Sequence, residues 1–387
     1  MQKISPLQII PLAALTAIGM LAIDLYLPAL PYLAQELNAT LPTIQSTLSI
    51  YTIALALSQL AWGAVADRLG MRTTLLAGIA LEIAASIGCA LATDITLLIA
   101  FRAVQGIGAG AATVVVPVLL RRRCSDTDAV RALSWVSMAE SVIPAAAPVL
   151  GTLILLRADW RYCFWIIAAL AVILIPFVLK IDDDEPLLGR DEPASYLLLL
   201  RHPEFLRNAL LYGLSFGALV TFVASAPHLI HQWLQQGPAV FVVMQICGVA
   251  GFMLGAARGG PAVQRYGADR MIRLGGAMQL LAALALALLG ALALRHAVPM
   301  IAAWAVFCAG LGLRGPAAMT RTLSVPPALT SLASGFLMFL ALILSGIGTQ
   351  IAGFLLRYGM LPVALLMAAM MLVSLCLQKP AAPVPSQ

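Results

Sequence analysis

Apolar runs, each long enough to cross a bilayer, recur along all 387 residues and are divided by short polar breaks. A membrane-spanning helix needs about 20 such residues. The runs fall at 7–34, 43–65, 73–92, 95–118, 129–154, 160–180, 206–231, 238–257, 271–294, 297–318, 329–353 and 360–378. None alternates apolar and polar positions as the strands of a membrane barrel would. The pattern therefore predicts an all-α, polytopic membrane protein with twelve transmembrane helices. The first run is longer than a span requires, so a tilt or a kink at Pro28 and Pro31 is expected.

The longest hydrophilic stretch, 181–205, separates six runs from six. This predicts an N-terminal six-helix bundle over 1–180, a solvated linker over 181–205 and a C-terminal six-helix bundle over 206–387. Within the linker, YLLLLRHPEF has the composition of a short interfacial amphipathic helix. No stretch is left for a soluble domain.

Composition supports this reading. Hydrophobic residues make up 61% of the chain and charged residues only 10%, against about 25% charged in a soluble domain. The net charge of +6 does not point to nucleic acid, because the basic residues lie scattered in short loops. Their sidedness instead sets topology. With the N-terminus inside, the inner segments hold 18 of the 23 Lys and Arg residues and the outer segments 4, with Arg102 left within a span. Both termini are expected in the cytoplasm. The N-terminal MQKISPLQII reads as the retained start of the first helix, not a removed signal. Six scattered cysteines without CxxC spacing read as small apolar packing residues.

The break between the second and third runs is WGAVADRLGMRT. Two spans joined by so few residues form an antiparallel hairpin, and glycine permits the sharp turn. The pattern Gly63-x-x-x-Asp67-Arg68-x-Gly70-x-Arg72 resembles the loop 2–3 signature of the major facilitator superfamily. A weaker echo, GFMLGAARGGPAVQRYGADRMIR, falls between the eighth and ninth runs, without a counterpart of Asp67-Arg68 before Tyr266-Gly267. The resemblance implies two pseudo-symmetric six-helix bundles working by alternating access, with residues 63–72 as a gating loop. It also implies a bacterial inner membrane location.

Arg102 is the strongest single signal. It lies inside the fourth run, where an arginine costs several kcal/mol unless paired or hydrated. Its setting, Arg102-x-x-Gln105-Gly106-x-Gly108-x-Gly110, resembles the helix 4 signature of proton-coupled members of the superfamily. Gly106 and Gly110 would let a neighbouring helix approach closely. An arginine snorkelling outward is the alternative. Asp24, in the first run, is its expected partner, since a buried carboxylate can take up and release a proton. Asp24, Tyr26, Pro28 and Pro31 resemble the Asp-x-Tyr-x-Pro-x-x-Pro stretch of the bicyclomycin and chloramphenicol resistance branch of the drug/proton antiporters. Tyr26 and Pro28, with His228 and Arg314 of the second half, are candidates for the substrate cavity.

Glu140 lies mid-run in the fifth segment, ahead of Pro144, Pro148 and Gly151, which resemble the helix 5 antiporter signature in partial form. Glu140 reads as a second proton site, a salt-bridge partner of Arg102 or a purely structural pair. Glu82, in the third run, reads as a structural pair in a helix that the family places at the periphery. In the second half, His228 and His231 sit three apart on one helical face, suiting a proton site, a metal-ligand spacing or simple interfacial placement. No metal site is expected. Arg314 either reaches the transport pathway, favouring an anionic substrate, or is an interfacial cation.

The chain has no Gly-rich nucleotide loop ending in Lys-Ser/Thr, no HEXXH and no GXSXG. An enzyme is not expected, nor any cofactor. The reading that follows from the resemblance is a monomeric, proton-coupled exporter of small amphipathic compounds such as antibiotics. The alternatives are an exporter of one endogenous metabolite, such as a carboxylate siderophore, and, more remotely, a passive channel or membrane enzyme.

Overall fold

A computed structural model describes residues 6–123, 126–181, 199–322 and 330–378. Among them, regular structure is helical throughout. In the first half these are α1 (Pro6–Asp24), a 3-10 turn (Leu27–Ala29), α2 (Leu30–Glu36), α3 (Leu41–Leu69), α4 (Met71–Leu91), α5 (Ile95–Arg123), α6 (Asp126–Leu155) and α7 (Arg161–Leu179). The second half holds α8 (Pro203–His228), a π-helical turn (Leu229–Trp233), α9 (Ala239–Tyr266), α10 (Ala268–Ala291), α11 (Ala297–Thr322), α12 (Thr330–Leu355) and α13 (Met360–Cys376). Among the described residues, ten segments are long and apolar enough to cross a membrane, and shorter apolar stretches at Val142–Leu155 and Met360–Cys376 accompany them. The chain is a multi-pass membrane protein.

Two local rules fix where the helices break. The first run is divided after Asp24, because Pro28 lies four residues on and has no N–H for the Asp24 carbonyl; its ring also collides with that carbonyl in a continuous helix. Asp24 is thus the last residue of α1. The second rule acts at the hairpins. α3 and α4 are joined by Gly70 alone, at φ 84° and ψ 159°, and α9 and α10 by Gly267 alone, at φ 83° and ψ 152°. This region of backbone space is essentially reserved for glycine. The weak sequence echo is therefore an echo of backbone conformation.

The chain divides into two compact units, Met1–Pro193 and Ala194–Gln387. The expected linker lies for the most part outside the described residues; of its YLLLLRHPEF segment, residues 199–205 are described, and Pro203 already opens α8. In the first unit, α3 packs on α5, α5 on α4, α4 on α7 and α1 on α6. The second repeats the scheme: α9 packs on α11, α11 on α10, α10 on α13 and α8 on α12. Matching the helices in order gives the same four pairings twice, the physical signature of an internal repeat.

Candidate functional site

The first unit is built around a buried cation. Arg102 is fully buried on α5, as is Gln105 one turn later. Small residues let the neighbouring helices close over them: a methyl group at Gly106 would strike the Tyr51 carbonyl on α3, and one at Gly110 would strike Ser58. Gly108 faces α4 in the same way, where a methyl would meet the Glu82 amide nitrogen and the Gly78 carbonyl. Gly151 on α6 abuts the Leu25 carbonyl. Pro148 is buried and Pro144 half-buried on that helix.

The guanidinium is held by neutral groups. Nε donates to the Thr47 carbonyl at 3.2 Å. Nη1 donates to the Ala22 carbonyl at 2.9 Å and to Gln105 Oε1 at 2.6 Å. Gln105 passes the chain on, its Nε2 donating to Ser86 Oγ at 2.8 Å. Aromatic faces complete the cage: the guanidinium carbon lies 4.2 Å from the centre of the Tyr51 ring, 4.6 Å from Tyr26 and 5.9 Å from Phe164. A desolvated cation–π contact contributes about 2 kcal/mol. Both tyrosines are fixed in turn. Tyr51 donates its hydroxyl to the Gly19 carbonyl at 2.7 Å, and the Tyr26 hydroxyl meets Thr47 Oγ1 at 2.6 Å. Two main-chain carbonyls, one side-chain amide and a set of aromatic faces thus hold one arginine at the meeting of α1, α3, α4 and α5.

The carboxylates are arranged differently from the sequence expectation. No ion pair joins Arg102 to a carboxylate among the described residues. Asp24 is half-buried, two residues beyond the Ala22 carbonyl that the arginine actually holds. The kink at Pro28 accounts for this: it leaves the main-chain end of α1, not the Asp24 side chain, as the acceptor. Glu140 is half-buried on α6 facing Thr16 of α1, so it does not serve as the salt-bridge partner of Arg102. Glu82 is the reverse case. It is 4% exposed on α4, within Coulombic reach of Arg102, and neither carboxylate oxygen has a hydrogen-bond partner. The peripheral structural pair expected there is not formed.

In the hairpin, Asp67 and Arg68 are exposed in the last turn of α3, Gly70 is buried, and Arg72 is half-buried in the first turn of α4. Gly63 lies within α3, and a methyl there would meet nothing within 4 Å. Tyr26 and Pro28 are buried inside the unit, with Tyr26 committed to Thr47 and Arg102.

The second unit has an arginine network of its own. Arg314, 1% exposed on α11, is not an interfacial cation. Nη1 donates to Gln279 Oε1 at 3.2 Å, and Nη2 donates to Ser374 Oγ at 3.1 Å and to the Leu211 carbonyl at 3.4 Å. Ser215 donates to the same Gln279 oxygen at 2.7 Å. Four helices, α8, α10, α11 and α13, meet there. His228 is buried at the end of α8, and His231 follows it in the π-helical turn. Among the described residues no cluster of His, Cys, Asp and Glu could hold a metal ion.

Sequence reasoning singled out both arginines but missed Gln279, Ser374, Ser86 and Thr47. Gln279 and Ser374 carried a usable signal, as lone polar residues in apolar runs. Thr47 acts through its main-chain carbonyl, which no side-chain pattern can announce.

The family model of the Major Facilitator Superfamily matches residues 12–349. Among curated relatives, the multidrug resistance protein MdtL of Escherichia coli strain SMS-3-5 is 35% identical over 211 residues, and that of strain K12 is 36% identical over the same length. Each match covers 54% of this chain and 54% of the relative, so the aligned region spans about half the length of the curated relatives. A D-xylose-proton symporter superposes over 97% of this chain and 98% of its own with a TM-score of 0.74 at 14% identity. The nucleoside transporter NupG gives 0.73 at 15%, over 95% and 98%. These two likenesses speak for the fold. With the family model spanning both helical units, this chain belongs to the major facilitator superfamily.

Proposed function

We propose that this chain is a proton-coupled secondary exporter of small amphipathic compounds, antibiotics among them. The observation that carries the reading is the buried Arg102 cage. A permanent cation held in a membrane helix without an ion pair creates a site whose energy changes whenever a nearby carboxyl group gains or loses a proton. Asp24 and Glu140, both half-buried in the same unit, are the carboxyl groups proposed to take part. The likeness to relatives described as multidrug resistance proteins supports export as the direction. Residues 63–72 are proposed to act in gating, and the excess of inner basic residues supports cytoplasmic termini in a bacterial inner membrane.

The test is transport of ethidium by proteoliposomes under an imposed pH gradient. Uptake into everted vesicles should follow the gradient and collapse with a protonophore. Transport indifferent to both would remove proton coupling.

A second reading has its own observation. Arg314 and Gln279 are buried with Nε and Nε2 lacking acceptors, a surplus of donors that suits an anionic metabolite. Competition of ethidium transport by citrate but not by neutral amphiphiles would favour this reading over the first.

A further inference from the structure

We propose that Glu82 is a proton-binding residue of this transporter, exchanging its proton for a contact with the free Nη2 of Arg102. The inference rests on the proton-coupled reading above and extends it to a residue outside the helix 1 and helix 5 signatures.

The argument begins from unmet hydrogen-bonding capacity. Buried polar atoms are nearly always satisfied, and each exception calls for a cause. In the first unit three such atoms lie in one neighbourhood: both carboxylate oxygens of Glu82 and Nη2 of Arg102. Two acceptors and one donor, within Coulombic reach, do not meet. Gln105 stands beside Glu82, yet no donor reaches either oxygen with hydrogen-bond geometry. An ionised carboxylate so placed would bear a desolvation penalty of several kcal/mol. Glu82 is therefore a neutral carboxylic acid in this arrangement.

The surroundings allow the proton to leave. Glu82 lines a cavity of about 20 Å³ with Gly78, Gly108, Ala111 and Ala112, space for about one water molecule. The other titratable or charged groups around Glu82 are Arg102 on α5, Tyr51 on α3 and Cys89 further along α4; Asp24 at the end of α1 and Tyr26 just beyond it act on Tyr51. Of these, only Arg102 carries a fixed positive charge.

The exchange follows from these positions. In the structure Arg102 spends Nε and Nη1 on the Thr47 and Ala22 carbonyls and on Gln105. When α1 moves and the Ala22 carbonyl is withdrawn, the guanidinium can turn its free Nη2 onto Glu82. The O–H bond of Glu82 breaks, the proton passes to the cavity water, and the electron pair stays on the carboxylate. The site goes from a cation beside a neutral acid to a neutral ion pair. Movement of α1 and release of a proton become one event.

The test uses the purified full-length protein in nanodiscs and reads the C=O stretch of protonated carboxyl groups by infrared difference spectroscopy across a pH titration, without substrate. A protonated-carboxyl band that is lost in Glu82→Gln and kept in Asp24→Asn and Glu140→Gln is the expected result. Glu82→Asp should keep a band at shifted frequency, which guards against misfolding of the glutamine variant. Substrate-induced proton release, followed with a pH dye, should fall at least twofold in Glu82→Gln. A full band in folded Glu82→Gln, or unchanged proton release, overturns the proposal. Because the titration needs no substrate, a band at Glu82 in a protein whose ethidium transport ignores the gradient would refute proton-coupled export while leaving Glu82 as a proton-binding residue.

Discussion

Arg102 holds the main-chain carbonyl of Ala22 at 2.9 Å, two residues before Asp24, so the arginine is tied to the end of α1 by backbone and not by the carboxylate. Two functions that the sequence suggested were joined in one ion pair are thereby separated. The arginine fixes the position of α1, and Asp24 is free of that structural duty.

Asp24→Asn should accordingly leave the protein folded with the arginine network intact. Proton release on substrate addition should fall, leaving the share carried by Glu82, while substrate binding remains measurable. The readouts are melting temperature, substrate affinity by fluorescence quenching and proton release on substrate addition. A fall in melting temperature as large as that of Arg102→Ala would show that Asp24 holds the fold after all.

Arg102→Lys keeps the charge but not the fork of donors. A lysine ammonium cannot reach the Thr47 carbonyl, the Ala22 carbonyl and Gln105 Oε1 from one planar group. Hydrogen bonds to charged groups contribute about 1.5–3 kcal/mol each. Loss of one or two should lower thermal stability clearly, with transport reduced at least tenfold. Arg102→Ala should be worse, because Gln105 then loses the donor that orients it toward Ser86.

The architecture was legible in the sequence because burial in lipid leaves a long apolar trace. The division after Asp24 was foreshadowed by Pro28, whose effect falls on the residue four positions back. Arg102 stood out because a charge inside an apolar run is costly. Its partners were not legible, since two of them are the carbonyls of Ala22 and Thr47, and every residue has a carbonyl. Glu82 looked peripheral because helix position in a bundle depends on tertiary packing, and only the close approach of α4 to α5 through Gly78 and Gly108 brings it to the arginine. Arg314 was left open between the transport pathway and the interface for the same reason; its burial comes from four helices meeting around Gln279 and Ser374.

Gly106 and Gly63 should respond in opposite ways to the same change. Gly106→Ala drives a methyl into the Tyr51 carbonyl, and α3 must shift to admit it. Overpacking of this kind costs about 1–3 kcal/mol, and the Tyr51 ring over Arg102 would be displaced with it. Gly63→Ala meets open space and should leave the melting temperature within a degree or two of the wild type. Equal destabilisation by both would contradict the packing seen between α3 and α5.

The hairpin offers a separation of fold from gating. Gly70 alone connects α3 to α4 at φ 84°, accepts from Thr74 N through its carbonyl at 3.2 Å and donates to the Ala66 carbonyl at 3.1 Å. A side chain there costs about 1–3 kcal/mol of backbone strain. Gly70→Ala should therefore lower the stability and yield of the protein, and Gly267→Ala, at φ 83°, should do the same by a similar amount. Asp67 is exposed one turn earlier and supports nothing in the turn itself. Asp67→Asn should leave stability unchanged, slow ethidium turnover severalfold and leave its affinity nearly intact. The decisive comparison is initial transport rate against equilibrium dye binding in the same preparation. Loss of binding in a folded Asp67→Asn protein would place this carboxylate in substrate recognition and remove it from gating.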